Sequence, residues 1–317
     1  MSPVAAQDSS LARSPSGWRD DAFRRLTQAT GLAALVLLLA IGLFLAIQAA
    51  PAFRAMGPRF FSERQWLPSP PAYGIAALAF GTVVSSVVAL VIAVPVALGS
   101  ALFLTEVAPR RMGRPLGYLV DLLAAVPSVV FGLWGLLVLV PALIPVERFL
   151  DRWLGFVPIF ANRSGLFGRS IFAGAVVLGI MVVPIVAALA REIFNQVPQA
   201  NREAAQALGA TPWETIRTAV LPFSRGGLVG ATMLGLGRAL GETIAVALVM
   251  GAAYTVNFRI TEVGGNSLAA NIATKFGEAD ELGRAALIAS GLVLFAITLV
   301  VNVAGRLVVR RSVVVGR

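Results

Sequence analysis

Two charged residues, Arg238 and Glu242, interrupt a long apolar run within Gly235-Leu-Gly-Arg-Ala-Leu-Gly-Glu-Thr-Ile-Ala245. A helix that begins near Leu228 would place Arg238 about 15 Å along its axis, close to the centre of a bilayer. In that helix Glu242 follows at i+4, on the same face and within pairing distance. A charge at this depth costs from about 3 to more than about 10 kcal/mol unless it is paired or hydrated. These two residues are the first candidates for chemistry in the chain.

The charged pair has two interpretations. In the first, the role is structural: Arg238 and Glu242 form an ion pair, or Glu242 bonds to a neighbouring subunit. In the second, Arg238 contacts an anion on a solute pathway, because a guanidinium offers forked donors that match a tetrahedral oxyanion. Glu242 would then hold Arg238 in place and lower the affinity of Arg238 for the anion, so that the anion is released after it binds. Thr243 would add a hydroxyl donor, so the second interpretation predicts a substrate pathway at Arg238, Glu242 and Thr243.

Other polar side chains within the apolar runs have simpler expected roles. Thr82, Ser85 and Ser86 are expected to bond backbone carbonyl groups of their own helix. Asp121 is expected near the start of a third helix, where the helix N-terminus stabilises a carboxylate. Each of these is predicted to be structural.

Several classes of activity are excluded by residues that the sequence lacks. The chain has no Cys and no His, which excludes serine–histidine catalysis, thiolate chemistry and most transition-metal sites. Its one lysine, Lys275, lies in Thr274-Lys-Phe276, so there is no Gly-x-x-x-x-Gly-Lys-[Ser/Thr] phosphate loop. We therefore predict no catalytic residue, no metal site and no nucleotide hydrolysis by this chain itself.

The composition indicates an all-α membrane protein. Of 317 residues, 57% are hydrophobic and only 13% are charged, whereas soluble domains are about a quarter charged. The 25 arginines and one lysine mostly flank the apolar runs, which is typical of contact with anionic headgroups and argues against nucleic acid. About six transmembrane helices are predicted, at Ala29–Ala50, 75–104, 116–140, 171–190, 228–252 and 285–305.

Prolines and glycines within these runs predict a packed bundle. Pro95 and Pro127 are expected to kink the second and third helices, with neighbouring helices or water satisfying the freed carbonyl groups. Glycines recur in and before the fifth run, where their expected role is close helix approach; they are Gly226, Gly227, Gly230, Gly235, Gly237 and Gly241.

The distribution of basic residues predicts the orientation. With the N-terminus in the cytoplasm, fifteen basic residues lie on the cytoplasmic side and ten on the opposite side, which favours cytoplasmic termini. The outer segments are longer than simple turns and would offer a docking surface to an external partner. The predicted divisions are a flexible cytoplasmic tail at 1–27, the first transmembrane helix and outer loop at 28–74, a core domain at 75–305 and a cytoplasmic tail at 306–317.

The cytoplasmic loop at 191–225 is predicted to contain a helix–turn–helix. Pro198 suits the first turn of a helix, and Gly209 is a natural stop after good helix formers. Thr211-Pro-Trp-Glu214 then predicts a second helix with a capping box, which Pro222 is expected to end. The two short helices would either protrude into a groove of another protein or form a connector that packs on its own bundle.

Glu203-Ala-Ala, three residues, Gly209, nine residues and then Ala219-x-Leu221-Pro222 resemble the EAA loop of permease subunits in ATP-binding-cassette (ABC) importers. The family usually has Ile where this chain has Ala219. In that family the loop is seated in a cleft of the cytoplasmic ATPase, which would bind the ATP and Mg²⁺ that this chain does not. The resemblance implies an ATPase-coupling role for Glu203, Ala204, Ala205, Leu208, Gly209, Trp213, Leu221 and Pro222.

The segments 121–135 and 237–245 are similar to the PstC family of permeases in bacterial phosphate importers. The resemblance implies a MetI-like importer permease fold in the bacterial inner membrane and a role for Arg238 and Glu242 in phosphate passage. It implies as partners a second, PstA-like permease, two ATPase subunits and an external phosphate-binding protein. The alternatives are a permease for sulfate or molybdate, an ion-gradient-driven secondary transporter and a purely structural membrane scaffold.

Overall fold

The computed structural model describes residues 18–69 and 71–314 of the chain. The described residues divide into two units, with the boundary between Ile47 and Gln48. The first unit contributes the N-terminal part of helix α1, which spans Trp18–Met56. Its apolar side chains between Leu32 and Ile47 are exposed, except the half-buried Leu45, as expected where a helix meets lipid.

Helix α1 begins earlier than the predicted tail allows, because residues from Trp18 onward are helical. Asp20 and Asp21 lie in the first turn, where carboxylates interact favourably with the helix dipole. The predicted flexible tail is therefore wrong for residues 18–27, and its remainder, 1–17, lies outside the described residues. At the other end of the chain, α13 continues through most of the predicted C-terminal tail, as far as Val314.

The second unit is helical apart from a short antiparallel hairpin, β1 (Trp66–Pro68) with β2 (Pro71–Tyr73). Its further helices are α2 (Arg59–Ser62), α3 (Ala76–Leu102), α4 (Arg110–Ala124), α5 (Ser128–Trp134), α6 (Val140–Leu154), α7 (Ile171–Asn195), α8 (Gln199–Ala207), α9 (Pro212–Thr215), α10 (Leu221–Gly241), α11 (Ile244–Val249), α12 (Leu268–Lys275) and α13 (Glu281–Val314). The described residues contain three π-helical turns. Phe103–Val107 extends α3, whereas Gly135–Leu139 joins α5 to α6 and Ile216–Val220 joins α9 to α10.

Within the described residues, six helical stretches are long and apolar enough to cross a membrane. They are Asp20–Met56, Ala76–Val107, Ser128–Leu154, Ile171–Asn195, Pro212–Gly241 and Glu281–Leu307. The prediction of an all-α membrane protein with about six transmembrane helices is confirmed. The third and fifth stretches differ from the predicted ones.

The predicted third helix, 116–140, is wrong because Pro127 separates two helices instead of kinking one. Helix α4 ends at Ala124 and α5 begins at Ser128. A proline disfavours the helical conformation of the residue before it, and its own missing N–H is tolerated at a helix start. Pro95, in contrast, lies inside the uninterrupted helix α3.

The centre of the second unit is the packing of α3 against α7. Ala89, Ala93, Ala97 and Ala101 follow one another at i+4 intervals along α3, and each has no exposed surface. Small residues at this spacing let two helix backbones approach closely. Gly179 of α7 faces this alanine stripe, and an added Cβ at Gly179 would lie 3.3 Å from the carbonyl oxygen of Ala89.

We call the end of the second unit at which α7 begins the distal end, and the end at which α7 finishes the proximal end. At the distal end, Thr82 of α3 donates its hydroxyl to the Leu78 carbonyl (2.8 Å) and accepts the backbone N–H of Leu268 (2.9 Å). The predicted carbonyl bond of Thr82 is confirmed. Ser85 donates to the Thr82 carbonyl (3.3 Å), whereas the buried Ser86 hydroxyl has no described partner.

A buried carboxylate holds the distal start of α7. Glu147 of α6 has no exposed surface; it accepts hydrogen bonds from the Ser170 hydroxyl (2.6 Å) and the Gly168 backbone N–H (3.0 Å). Ser170 in turn caps α7 by accepting from the N–H of Ala173 (3.0 Å). Both oxygens of the buried carboxylate are thereby satisfied, and α6 is tied to α7.

Candidate solute pathway and coupling surface

Helix α10 packs on α7 through one face. Leu228, Ala231, Gly235 and Ala239 are buried on this face. A Cβ added at Gly235 would lie only 2.8 Å from Cγ2 of Val186 on α7. Gly235 therefore has the packing role predicted for it, because the close approach of the two helices requires a residue without a side chain.

A second face of α10 is open. Leu234, Arg238 and Gly241 are exposed on it, and an added Cβ at Gly237 or Gly241 would meet nothing within 4 Å. An arginine on an apolar span is unfavourable against lipid, so this face requires a polar cavity or a polar partner beside it. We call Leu234, Gly237, Arg238 and Gly241 the open face of α10.

The helix breaks directly after the open face. Helix α10 ends at Gly241, Glu242 adopts an extended conformation (φ −68°, ψ 131°), and α11 begins at Ile244. Arg238 thus lies in the last turn of α10 and not at the middle of a helix starting near Leu228. A cation in the last turn interacts favourably with the helix dipole.

The predicted ion pair between Arg238 and Glu242 is wrong, because the break takes Glu242 off the helical face. None of the four ion pairs among the described residues joins them. Glu242 is 8% exposed and accepts a long hydrogen bond from the N–H of Ala245 (3.4 Å). The Thr243 hydroxyl donates to the carbonyl of Gly241 (3.1 Å). The three predicted pathway residues remain neighbours at a helix break, with Arg238 as the exposed donor.

Helix α11 is held in place by glycines of the third span. An added Cβ at Gly132 of α5 would lie 2.8 Å from the Cα atom of Ala245. At Gly135 it would lie 2.9 Å from Cγ2 of Val177 and 3.0 Å from Cγ2 of Val249. Any side chain at Gly132 must therefore displace the backbone that follows Glu242.

Gly132→Ala is expected to lower the melting temperature of the purified protein, because overpacking a tight core costs about 1–3 kcal/mol. Gly99→Ala in α3 is the matched control. Its added Cβ meets nothing within 4 Å, so the better helix propensity of alanine keeps or raises stability there. Equal melting temperatures for the two variants would contradict the close packing of α5 on α11.

The predicted helix–turn–helix is present as α8, Gly209 and α9. Gly209 has a positive φ of 82°, which glycine adopts without strain. The Thr211 hydroxyl accepts the N–H of Glu214 (3.4 Å), and the Glu214 carboxylate accepts the N–H of Thr211 (2.8 Å). The predicted capping box is confirmed.

We call residues Gln199–Thr215, which contain α8 and α9, the protrusion. Leu208 and Trp213 are 90% and 63% exposed on it. Glu203 and Ala204 are also exposed, and Ala205 is half-buried. Two large apolar side chains exposed on neighbouring turns of a short structure are typical of a protein–protein contact.

Pro222 does not end the second short helix, contrary to the prediction. From Pro212 to Gly241 the chain is helical, and the π-helical turn Ile216–Val220 comes just before the proline. In that turn the N–H of Leu221 donates to the Ile216 carbonyl. The wider turn accommodates a residue that has no N–H to donate, so α9 and the fifth span form one rod from Pro212 to Gly241. Leu221 is half-buried beside the cluster formed by Phe194, Val197, Val220 and Leu228.

Arg202 joins the protrusion to the bundle, and sequence reasoning did not identify it. Its guanidinium donates to the Glu106 carboxylate (2.8 Å) and to the carbonyls of Val197 (2.6 Å) and Phe194 (2.9 Å). The side chains of Arg202 and Glu106 are only 15% and 13% exposed. Helix α8 is thereby tied to the turn that follows α3 and to the end of α7.

Asp121 lies far from the helix N-terminus predicted for it. It sits near the C-terminal end of α4, and both its carboxylate oxygens accept from Nη2 of Arg191 on α7 at 2.8 Å. The predicted structural role is retained, but the partner is an arginine and not a helix dipole. The shift follows from the position of Pro127, which ends α4 soon after Asp121.

A cavity of about 790 Å³ opens at the distal end. Arg64 and Arg259 line it from two separate segments, together with Tyr254 and Asn257. Edge-to-face contact between Phe258 and Phe80 of α3, with ring centroids 4.9 Å apart, holds this segment on the bundle. Arg259 also forms an ion pair with Glu262 (3.7 Å), whereas Arg64 has no ion pair among the described residues. The cavity therefore keeps a net positive charge on this lining, which attracts anions.

Glu262 fastens the distal loops to one another. It accepts the backbone N–H groups of Arg163 (2.9 Å) and Ser164 (3.0 Å) and a hydrogen bond from Asn257. Although partial burial opposes the change, these hydrogen bonds and the charge of Arg259 hold the pKa of the Glu262 carboxyl below its usual value. The folded state therefore favours the ionised form.

The stability contributed by Glu262 is expected to be complete at neutral pH and to be lost on acidification. A carboxyl whose pKa is lowered by folding stabilises above its unfolded value of about 4.3, and the effect disappears as pH falls through the folded pKa. Melting temperatures measured from pH 7 downward test this. Glu262→Gln should melt lower at pH 7 and lose less on acidification; parallel curves for both proteins would contradict the assignment.

Comparisons with known proteins place the chain among importers. The sequence model of the family described as "Binding-protein-dependent transport system inner membrane component" matches residues 93–314. The phosphate transport system permease protein PstC 2 of Mycobacterium tuberculosis (strain ATCC 25618 / H37Rv) is 46% identical over 290 residues, covering 90% of each chain. The phosphate transport system permease protein PstC of Pasteurella multocida (strain Pm70) is 40% identical over 292 residues, covering 91% of each chain.

Solved structures share the architecture at low sequence identity. A bacterial alginate ABC transporter, in complex with an alginate pentasaccharide-bound periplasmic protein, matches with a TM-score of 0.60 at 18% identity, covering 93% of this chain and 98% of that chain. The inward-facing MetNI methionine ABC transporter matches with a TM-score of 0.51 at 20% identity, covering 78% and 96%. The predicted MetI-like importer permease fold is confirmed.

Proposed function

Because the chain belongs to the family of binding-protein-dependent transport system inner membrane components, we propose that it is the permease subunit of an ATP-driven importer of inorganic phosphate. The observation that carries the choice of phosphate is the similarity to PstC permeases, at 46% and 40% identity over nine-tenths of the chain. The exposed guanidinium of Arg238 beside a helix break supports an anionic solute.

The open face of α10 supports a pathway shared with a second permease. Arg238 needs a polar environment that lipid cannot supply, and a PstA-like partner with the same fold would enclose it in a water-containing interface. Arg238 would exchange hydrogen bonds with water for hydrogen bonds with the phosphate oxygens. Glu242 and Thr243 would line the same break, where non-helical backbone is tolerated next to a cavity.

The protrusion supports coupling to a separate ATPase. Leu208 and Trp213 would fill a cleft of that subunit, and Glu203 and Ala204 would border the contact. ATP and Mg²⁺ would bind to the two ATPase subunits and not to this chain. When ATP draws those subunits together, the rod from Pro212 to Gly241 and the Arg202–Glu106 joint would move the helices around Arg238.

The distal cavity supports delivery by an external phosphate-binding protein. Arg64 and Arg259 would attract the anion as it leaves the binding protein. In this proposal the distal end would lie outside a bacterial inner membrane and the protrusion would lie in the cytoplasm. Both termini would then lie in the cytoplasm, in agreement with the excess of basic residues on that side.

Uptake by proteoliposomes that contain the complete complex and external binding protein tests the function. Phosphate uptake should require ATP inside the liposomes and should resist an excess of sulfate or molybdate. Inhibition by either competing anion would indicate another oxyanion permease. Uptake that continues without ATP and collapses with the ion gradient would indicate a secondary transporter.

A further inference from the structure

Helix α4 has the properties of a helix that lies at a membrane surface. Its fifteen residues measure about 22 Å, less than the roughly 30 Å hydrocarbon core of a bilayer. Arg111 and Arg114 are exposed near its start, and Leu119, Leu122 and Leu123 are exposed nearer its end. Arg114 borders a cavity on one flank of α4, and Leu119 and Leu123 border a groove on the other. Polar and apolar residues on separate faces are typical of an interfacial helix.

One flank of α4 borders a polar cavity of about 350 Å³ at the proximal end. The polar side chains lining it come from the π-helical turn Phe103–Val107, from α4 and from the end of α7: Thr105, Arg114, Tyr118, Asp121, Arg191 and Asn195. Asp121 already binds the guanidinium of Arg191. Within the described part of the chain, the side chain of Arg114 makes neither a hydrogen bond nor an ion pair, so its guanidinium is free to bind an anion.

Gly117 leaves room for the Arg191 guanidinium beside α4. A Cβ at this position would collide with the guanidinium of Arg191, which crosses α4 there. The Asp121–Arg191 ion pair and the free guanidinium of Arg114 thus line the same cavity. The cavity offers one uncompensated positive charge.

The other flank of α4 borders an apolar groove of about 420 Å³. Its walls come from the end of α3, from the π-helical turn that follows it and from α4. They include Gly99, Phe103, Leu104, Leu119, Val120 and Leu123. Leu104 lines both the groove and the polar cavity. A charged cavity and an apolar groove that share a wall match a molecule with an anionic head and a hydrocarbon chain.

The position of the site along the membrane follows from the neighbouring ion pair. Glu106, in the turn just before α4, binds Arg202 of the protrusion. The cavity therefore lies at the end of the bundle that carries the protrusion. Anionic lipids on the cytoplasmic surface attract basic residues near the membrane by about 1 kcal/mol for each.

We propose that α4 binds one anionic phospholipid of the leaflet on the protrusion side. Its phosphate binds Arg114 in the polar cavity, and one acyl chain lies in the groove beside Gly99 and Leu119. The lipid thereby contacts the turn that carries Glu106, next to the joint that connects the protrusion to α3 and α7. The inference does not depend on which solute the protein transports.

Native mass spectrometry of the intact transporter complex, incubated with phosphatidylglycerol or phosphatidylcholine, tests the proposal. Arg114→Gln removes the free charge. Gly99→Leu fills the groove, since an added Cβ at Gly99 meets nothing within 4 Å. Arg111→Gln is the matched control, because this exposed arginine of the same helix does not line the cavity.

The wild type and Arg111→Gln should retain phosphatidylglycerol in preference to phosphatidylcholine. Arg114→Gln and Gly99→Leu should each retain about fivefold to tenfold less. Equal retention by all four proteins would overturn the proposal. So would loss of bound inorganic phosphate, and not of lipid, from Arg114→Gln, since the cavity would then be a site for a soluble anion. Cross-links from Leu119→Cys to the second permease would also overturn it, by showing that protein covers the groove.

Discussion

Arg238→Gln is expected to abolish phosphate uptake while the complex still assembles. The exposed guanidinium is the donor on the open face of α10, next to the helix break. A hydrogen bond to a charged partner contributes about 1.5–3 kcal/mol, so its loss should lower uptake by at least about tenfold. Initial rates of labelled phosphate uptake by reconstituted complexes measure the effect.

Two further variants identify the property of Arg238 that matters. Arg238→Lys keeps the charge but loses the forked geometry, so it should retain a small part of the uptake. Arg225→Gln removes an exposed arginine from the first turns of the same helix and should transport normally. Normal uptake by Arg238→Gln would reject the pathway role, and equal losses in Arg225→Gln would indicate a general effect of charge.

Joint replacement of Leu208 and Trp213 by alanine is expected to release the ATPase from the membrane subunits. Both side chains are more than half exposed on the protrusion. A tryptophan at the centre of an interface often contributes about 2 kcal/mol or more, and Leu208 adds apolar contact area beside it. Co-purification of the ATPase in detergent should fall by more than about tenfold.

A contrasting variant separates ATPase binding from transmission. Arg202→Gln leaves the exposed contact residues in place but removes the ion pair with Glu106. It should bind the ATPase normally and transport less phosphate for each ATP hydrolysed. Leu166→Ala, at an exposed apolar residue of the distal end, is the control and should behave as wild type. Unchanged ATPase binding by the Leu208–Trp213 double variant would contradict the docking role of the protrusion.

Features of the fold set by neighbouring residues were predictable from the sequence. The capping box at Thr211 and Glu214 and the turn at Gly209 depend on residues within a few positions of each other. The number of spans was also predictable, because the thickness of the bilayer requires about 20 consecutive apolar residues for each transmembrane helix.

Features that depend on distant contacts were not predictable. Arg202 and Glu106 are 96 positions apart, and no periodic pattern connects them. Asp121 accepts a hydrogen bond from Arg191 only because α4 packs against α7. The prediction of an Arg238–Glu242 pair assumed an unbroken helix, and the structure ends that helix at Gly241, in a glycine-rich segment of weak helix propensity.

The prolines show that the same residue type has a different effect on the helix at each position. Pro95 is accommodated inside α3, Pro127 separates two helices, and Pro222 follows a π-helical turn in a continuous rod. Each proline removes one backbone donor, but the surrounding packing decides whether the helix continues. The sequence shows that each proline removes a backbone donor, but it does not show how the neighbouring helices pack around that position.

Site-specific cross-linking from the protrusion tests the central claim most directly. The chain contains no cysteine, so Leu208→Cys introduces its only thiol for a photoreactive probe. The label at Leu208→Cys should capture the ATPase subunit, whereas the same label at the distal Leu166→Cys should not. Reaction of Leu208→Cys with an impermeant thiol reagent from outside intact cells, or capture of the ATPase from Leu166→Cys, would contradict the claim that the protrusion transmits ATP-driven movement to the membrane helices.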